Sequence, residues 1–309
     1  MVTVKEIESY KNYGKVVSIS NGVIEAYVTV DIGPRIIRFG YVGSQNFMHD
    51  GRDEFTALGD EVFQNYFGKG KEWENLGGHR IWTSPESYPE TYYPDLDPVA
   101  YTVSSNGAIF TPPAETENGM QKILEVKMDP DDTNMQVVMT VKNICDKDLD
   151  FAIWGLSVCA KHGNLIIPMN DNDTGLLANR NMSIWPYTDL SNDRIYFGKR
   201  YVTVRQDVNM GPMKLGFDLN RGTAYYVLND EVFCKHHDTN HPCGRYPDNN
   251  CSFETYTNQV FIEVESLSEQ KVVKPNDKIE LTESWSLCKK PCEVDFKSDD
   301  SIDNFLKKL

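Results

Sequence analysis

The sequence predicts an all-β protein of antiparallel strands, and three observations carry that prediction. Period-two runs recur from residue 15 to residue 287, each bounded by Gly, Pro, Asn or Asp. No regular alternation of strands with amphipathic helices interrupts them, so a parallel βα architecture is disfavoured. The 16 Tyr, 14 Phe and 5 Trp supply the large flat side chains that strand faces favour. More than about fifteen strands are expected, in one domain spanning residues 1–309.

Taken in order, Val16 to Ser20, Val23 to Val30 and Arg35 to Tyr41 form the first strands, separated by Asn21-Gly22 and by Asp31-Ile32-Gly33-Pro34. Alternation predicts Arg35, Ile37 and Phe39 on one face, with Ile36 and Arg38 on the other. Residues 44–76 hold no period and read as a long loop with a helical turn near 60–67. A short strand follows at His79 to Thr83, then a Pro- and acid-rich loop to Pro98. From Val99 the β pattern resumes through Val99 to Ser104, Ala108 to Thr111, Gln121 to Met128 and Met135 to Asn143. The run Phe151 to Ala160, apolar but for Ser157, reads as a central strand, with Trp154 in its middle. Asn164 to Pro168 precedes an Asn- and Asp-rich loop at 169–200. Strands then recur at Tyr201 to Arg205 and Met213 to Asp218, followed by a hairpin about Asn229-Asp230. Residues 252–265 and 278–287 complete the β structure, and Ser301 to Leu309 reads as a helical tail.

Within this frame the chemistry concentrates in two stretches. His79, Arg80, Trp82 and Glu86 fall within eight positions: an aromatic face, hydroxyl donors and acceptors, and a group that titrates near neutrality. That set suits a sugar site. In the run from Gln259 to Glu265, period two places Phe261, Glu263 and Glu265 on one face. Lys235-His236-His237-Asp238, with His241 and Cys243 behind it, is the densest group of metal-ligand types. It meets no standard zinc spacing, so no metal site is expected; His237 is instead a loop histidine that could reach a sugar cleft.

Composition narrows the partners. With 31 basic against 46 acidic residues the net charge is −15 and the pI about 4.8, which disfavours nucleic acid as a ligand. Residues 1–25 lack an export pattern and no stretch approaches the ~18 apolar residues of a membrane span, so a cytoplasmic location without membrane partners is expected. The seven cysteines include no CxxC pair, which fits reduced thiols.

Three segments together carry a resemblance. They are N-G-V-I-E-A-Y-V-T-V-D-I-G-P-R-I-I-R-F-G at 21–40, G-G-H-R-I-W-T-S-P-E at 77–86 and Y-T-N-Q-V-F-I-E-V-E-S-L-S at 256–268, the last followed by K-P-N-D-K-I-E-L-T-E-S-W-S-L at 274–287. In this order they resemble the galactose-mutarotase-like superfamily, and within it the aldose 1-epimerase-like proteins. The resemblance implies an antiparallel β-supersandwich with a sugar in an open cleft. It also implies interconversion of the α and β anomers of a free or modified aldose, without a cofactor: a glutamate takes the C1 hydroxyl proton and a histidine protonates the ring oxygen. Carried over by motif, Glu263 or Glu265 is the base, His79 the first histidine, and Arg35 or Arg80 the hydroxyl-binding arginine. Trp82, Trp154 and Glu86 complete the expected sugar contacts, with His237 a reserve acid. Two departures stand out: His79 follows the glycine pair instead of preceding it, and Trp154 occupies the place of the family's second histidine. The alternative is a carbohydrate-binding protein that uses the aromatic and arginine contacts without proton transfer. A monomer or homodimer is expected.

Overall fold

Alternation along each strand decides the architecture, because every strand carries one apolar face that must be covered. The structure, a computed structural model, describes residues 1–240 and 243–309. Among these, the strands form two large antiparallel sheets, one of eleven strands and one of ten. Their inner faces meet in one core, to which Ile153, Ile262 and Val264 of the first sheet and Leu124, Val137, Phe233 and Trp285 of the second contribute. Two sheets packed face to face with no helical layer make an all-β sandwich.

The first sheet runs from Thr3–Ile7 at one edge through Val16–Ser20, Ile24–Thr29, Ile36–Tyr41, Gly78–Ser84, Leu149–Cys159, Ile262–Leu267, Phe253–Thr257 and Met213–Phe217 to Met182–Ile184. Leu149–Cys159 is central, as its long, mostly apolar run predicts: it pairs with Gly78–Ser84 on one side and Ile262–Leu267 on the other. The eleventh strand, Lys271–Val273, pairs with the start of Leu149–Cys159, and the next strand in sequence, Lys278–Lys289, lies in the second sheet between Glu231–His237 and Asn134–Asn143.

The helical turn expected near residue 60 is the helix Glu61–Phe67, capped by Asp60, whose carboxylate accepts from the Phe63 amide at 2.9 Å. The tail helix spans Asp299–Leu306 and buries Ile302 and Phe305. Residues 252–265 are β structure as expected, a hairpin of two strands turned at residues 258–261 by Asn258, whose side chain accepts from the amides of Val260 and Phe261. One expectation needs correction: Ile37 does not share a face with Phe39, because the pairing jumps from Tyr27–Arg38 to Val28–Ile36 and leaves Ile37 as a bulge. Ile36 and Phe39 consequently both enter the core, and Ile37 packs instead with Tyr13 and Leu76.

Gly77 and Gly78 set the entry into the Gly78–Ser84 strand. Both have positive φ (72° and 63°), and a Cβ would stand 2.2 Å from the His49 carbonyl oxygen or 2.6 Å from that of Ile36. Only glycine fits there. All seven cysteines are free thiols, and among the described residues no helix is long and apolar enough to cross a membrane.

Candidate functional site

The outer face of the first sheet, beside its central strand, carries a cleft of about 250 Å³, a little below the usual range of small-molecule sites (about 300–1,000 Å³). Period two fixes which residues reach it. From Gly78–Ser84, Arg80 and Trp82 line the cleft, while Ile81 turns into the core. From the central strand, Trp154 and Leu156 line it, while Ile153 and Cys159 turn inward. Ile262–Leu267 presents Glu263, with Ile262 and Val264 on the core side. The loop after Ser84 adds Glu86, which accepts a hydrogen bond from the Tyr92 hydroxyl.

Arg80 and Glu263 form the polar heart of the cleft. An Arg80 terminal nitrogen donates to Glu263 Oε1 at 3.2 Å, and the guanidinium lies 4.2 Å from the Trp82 ring centroid. The other two guanidinium nitrogens of Arg80, Nε and Nη1, are buried with no protein partner. Burial, the largest cause, and the neighbouring Glu265 push the Glu263 carboxyl up to about 7, against the opposing pull of Arg80 and Lys214. A carboxyl poised there changes protonation at neutral pH.

Beneath the cleft floor Glu265 is already committed. Its Oε2 accepts from the Trp154 indole N–H at 2.8 Å and stands 3.4 Å from Lys214 Nζ. Lys214 also pairs with the buried Glu254 at 2.7 Å and lies over the rings of Trp154 and Trp185 at 4.3 and 4.6 Å. Burial raises the Glu254 carboxyl well above its ordinary value.

Three residues expected at the cleft lie elsewhere. His79 neighbours Arg80 on one strand, so alternation sends it to the opposite face. There it is fully buried between the sheets, with Nδ1 3.0 Å from Ser157 Oγ and its ring perpendicular to Trp285. Burial first, then Lys235 and Arg80, hold it well below the usual histidine range, so it stays neutral. His237 is likewise buried in the second sheet, its imidazole pushed down to about 3 chiefly by burial. Arg35 borders a separate small cavity, where it pairs with Asp95 at 2.5 Å.

The remaining described histidines do not replace them. His49 stands behind Phe261, 6.3 Å between ring centroids, and His162 lies in a turn. His236 contacts the Thr223 hydroxyl at 2.8 Å, and His241 lies outside the described residues. Among the described residues no histidine lines the cleft, and no three His, Cys, Asp or Glu side chains converge as a metal site.

Several lining residues carry little sequence signal. Trp73 comes from the long loop, Tyr187 from the 169–200 loop, and Lys214 and Tyr256 from paired strands. Trp73, Trp82, Tyr92 and Trp154 form one continuous aromatic wall, with centroid separations from Trp82 of 5.5, 4.8 and 5.6 Å. Tyr187, Tyr256 and Phe261 form another, joined by edge and tilted contacts at 6.4 and 5.6 Å. Tyr256 was findable in principle, since it shares a strand face with Glu254 by period two. Tyr187 and Trp73 were not, because loop residues obey no period.

No family model matches the chain, and no curated protein matches its sequence. Solved structures do match its fold. A galactose mutarotase-like protein from Lactobacillus casei superposes with a TM-score of 0.58 at 12% identity, covering 88% of this chain and all (100%) of that one. A protein from Synechocystis sp. PCC 6803 gives 0.55 at 9% identity, covering 92% and 95% of the two chains. A TPR-domain-containing protein from Parabacteroides distasonis gives 0.62 at 11% identity over 90% of this chain, which spans 48% of that longer protein. At identities of 12% and below the likeness concerns the fold, and in fold this chain is a galactose-mutarotase-like antiparallel β-supersandwich.

Proposed function

We propose that this protein is an aldose 1-epimerase-like mutarotase that opens and recloses the ring of a small sugar at the cleft built on Arg80, Trp82, Trp154 and Glu263. The observation that carries the proposal is Glu263: a cleft carboxyl held near 7, hydrogen-bonded to an arginine that has two further donors unfilled. Mutarotation needs only proton transfer at the anomeric hydroxyl and the ring oxygen, and a group titrating near the working pH serves both directions of it. The unfilled Arg80 nitrogens supply donors for sugar hydroxyls, and the two aromatic walls supply faces for the ring's C–H surface.

In this reading Glu263, not Glu265, accepts the anomeric proton, because Glu265 is engaged by Trp154 and Lys214 below the floor. The same fact weakens a glycosidase reading built on the pair Glu263 and Glu265, since both carboxyls would have to face the scissile bond. The second reading, a sugar-binding protein without catalysis, is favoured by one observation: no described histidine reaches the cleft.

Anomer exchange followed by polarimetry over a panel of aldoses decides between them. Wild type should exceed the buffer rate, and Glu263→Gln should lose about 10²–10⁴-fold of the acceleration. A wild type that binds a sugar by calorimetry yet never exceeds the buffer rate is a binding protein.

A further inference from the structure

We infer that a single carboxyl group, Glu263, performs both proton transfers of ring opening, one oxygen donating to the ring oxygen while the other accepts from the anomeric hydroxyl. The inference rests on the mutarotase reading and adds to it the identity of the acid.

Its first support is geometric. The anomeric hydroxyl oxygen and the ring oxygen are both bonded to C1, just as the two oxygens of a carboxyl are both bonded to Cδ. A protonated carboxyl can therefore face the pair in a cyclic array of two hydrogen bonds. The step balances without another reactant. The Oε–H proton passes to the ring oxygen as the C1–ring-oxygen bond breaks. The anomeric hydroxyl proton passes to the other carboxyl oxygen as C1 becomes the aldehyde carbon. The carboxyl ends neutral with its oxygens exchanged. After rotation about C1–C2, the reverse step closes the ring on the other face.

The second support is what surrounds Glu263. From Gly78–Ser84 it meets Arg80; from its own strand, Glu265; from the paired strands, Tyr256 and Lys214, with Glu254 behind Lys214; from the loops, Glu86, Tyr92 and Tyr187. Arg80 and Lys214 are cations, and Lys214 Nζ stands 2.7 and 3.4 Å from the carboxyl groups of Glu254 and Glu265. Burial first raises the phenols of Tyr92, Tyr187 and Tyr256, which makes them weaker acids than a free tyrosine. Glu86 sits on the exposed rim and holds the Tyr92 hydroxyl. Among the described residues the neutral carboxyl best suited to protonate a ring oxygen at neutral pH is Glu263 itself. Arg80 bonds only one lone pair of Oε1, which leaves both carboxyl oxygens able to face a sugar.

The pH profile separates this mechanism from a two-group one by its sign. A carboxylate base gains activity as pH rises through its pKa. A carboxyl acting as acid and base together works in the protonated form, so activity falls as pH rises through the same value, here about 7. The experiment measures kcat/KM for anomer exchange of a neutral aldose from about pH 5 to 9, with wild type, Glu263→Gln and Tyr256→Phe. The expected result is one descending limb near neutrality in wild type. Glu263→Gln should lose about 10²–10⁴-fold, and Tyr256→Phe should lose less than tenfold and keep the limb. A limb that rises with pH, a bell, or a tyrosine variant as inactive as Glu263→Gln overturns the single-carboxyl mechanism while leaving mutarotase activity intact. No acceleration at any pH overturns both.

Discussion

Arg80 does three things at once: it stacks on Trp82, bonds Glu263 and holds two buried nitrogens that no protein group pairs. Because its charge lowers the Glu263 carboxyl, removing it must raise that group further. In Arg80→Met the descending limb should therefore move to higher pH, and KM for a neutral aldose should rise as hydroxyl contacts are lost; a limb moving to lower pH would show that it reports another group. At this scale much of the site was legible. Period two on three strands suffices to put Arg80 with Trp82, Trp154 with Leu156, and Glu263 with Glu265 on shared faces. The same arithmetic separates His79 from Arg80, so grouping His79 with the cleft followed from its residue type and its place in a motif, against the alternation. Lys214 and Tyr187 reach the cleft through pairing and loop placement, and no local pattern encodes that.

Between the sheets a second set of polar groups ties the two layers together. Lys235 Nζ donates to the carbonyls of Gly155 and Val264 at 3.0 and 2.7 Å and to Ser157 Oγ at 3.0 Å, and pairs with Glu283 at 3.1 Å. Trp285 donates to the other Glu283 oxygen at 2.7 Å. A charge removed from such a site leaves its partner buried and uncompensated, which costs about 3–5 kcal/mol. Lys235→Met should show a loss of that order in denaturant unfolding, and Lys235→Met with Glu283→Leu should recover part of it; a double variant as unstable as the summed single changes would mean the two do not interact. Gly78→Ala should also destabilise by more than ~1 kcal/mol, since its positive φ and its closeness to the Ile36 carbonyl both oppose a side chain. Most strands were legible as alternating runs, because each buries one face. The edge strands Thr3–Ile7 and Met182–Ile184 were not, because short edges bury little and keep polar residues. The Ile37 bulge was invisible for a different reason: it is a property of the pairing, and one strand read alone cannot show it.

The whole molecule carries a net charge of −15, and two salt effects of opposite sign follow from it. Salt weakens ion pairs on the surface, such as Arg245–Asp150 and Lys278–Glu280, but exposed pairs contribute only about 0–1 kcal/mol each. Salt also screens the mutual repulsion of the excess carboxylates, which opposes the compact state throughout the surface. The buried pairs, Arg80–Glu263 and Lys214–Glu254, are shielded from both effects. Repulsion should dominate. Raising sodium chloride from about 0.05 to 0.5 M, which shortens the Debye length severalfold, should therefore raise Tm, by about 1.5 °C for each kcal/mol gained. Over the same range the Kd for a neutral aldose should stay constant, because the ligand is uncharged and its polar partners are already desolvated. A Tm that falls with salt would assign the surface pairs a larger share of stability than repulsion. A Kd that weakens steeply with salt would mean that the cleft's preferred ligand contact is to charge, and that a neutral sugar is not what Arg80 is placed to hold.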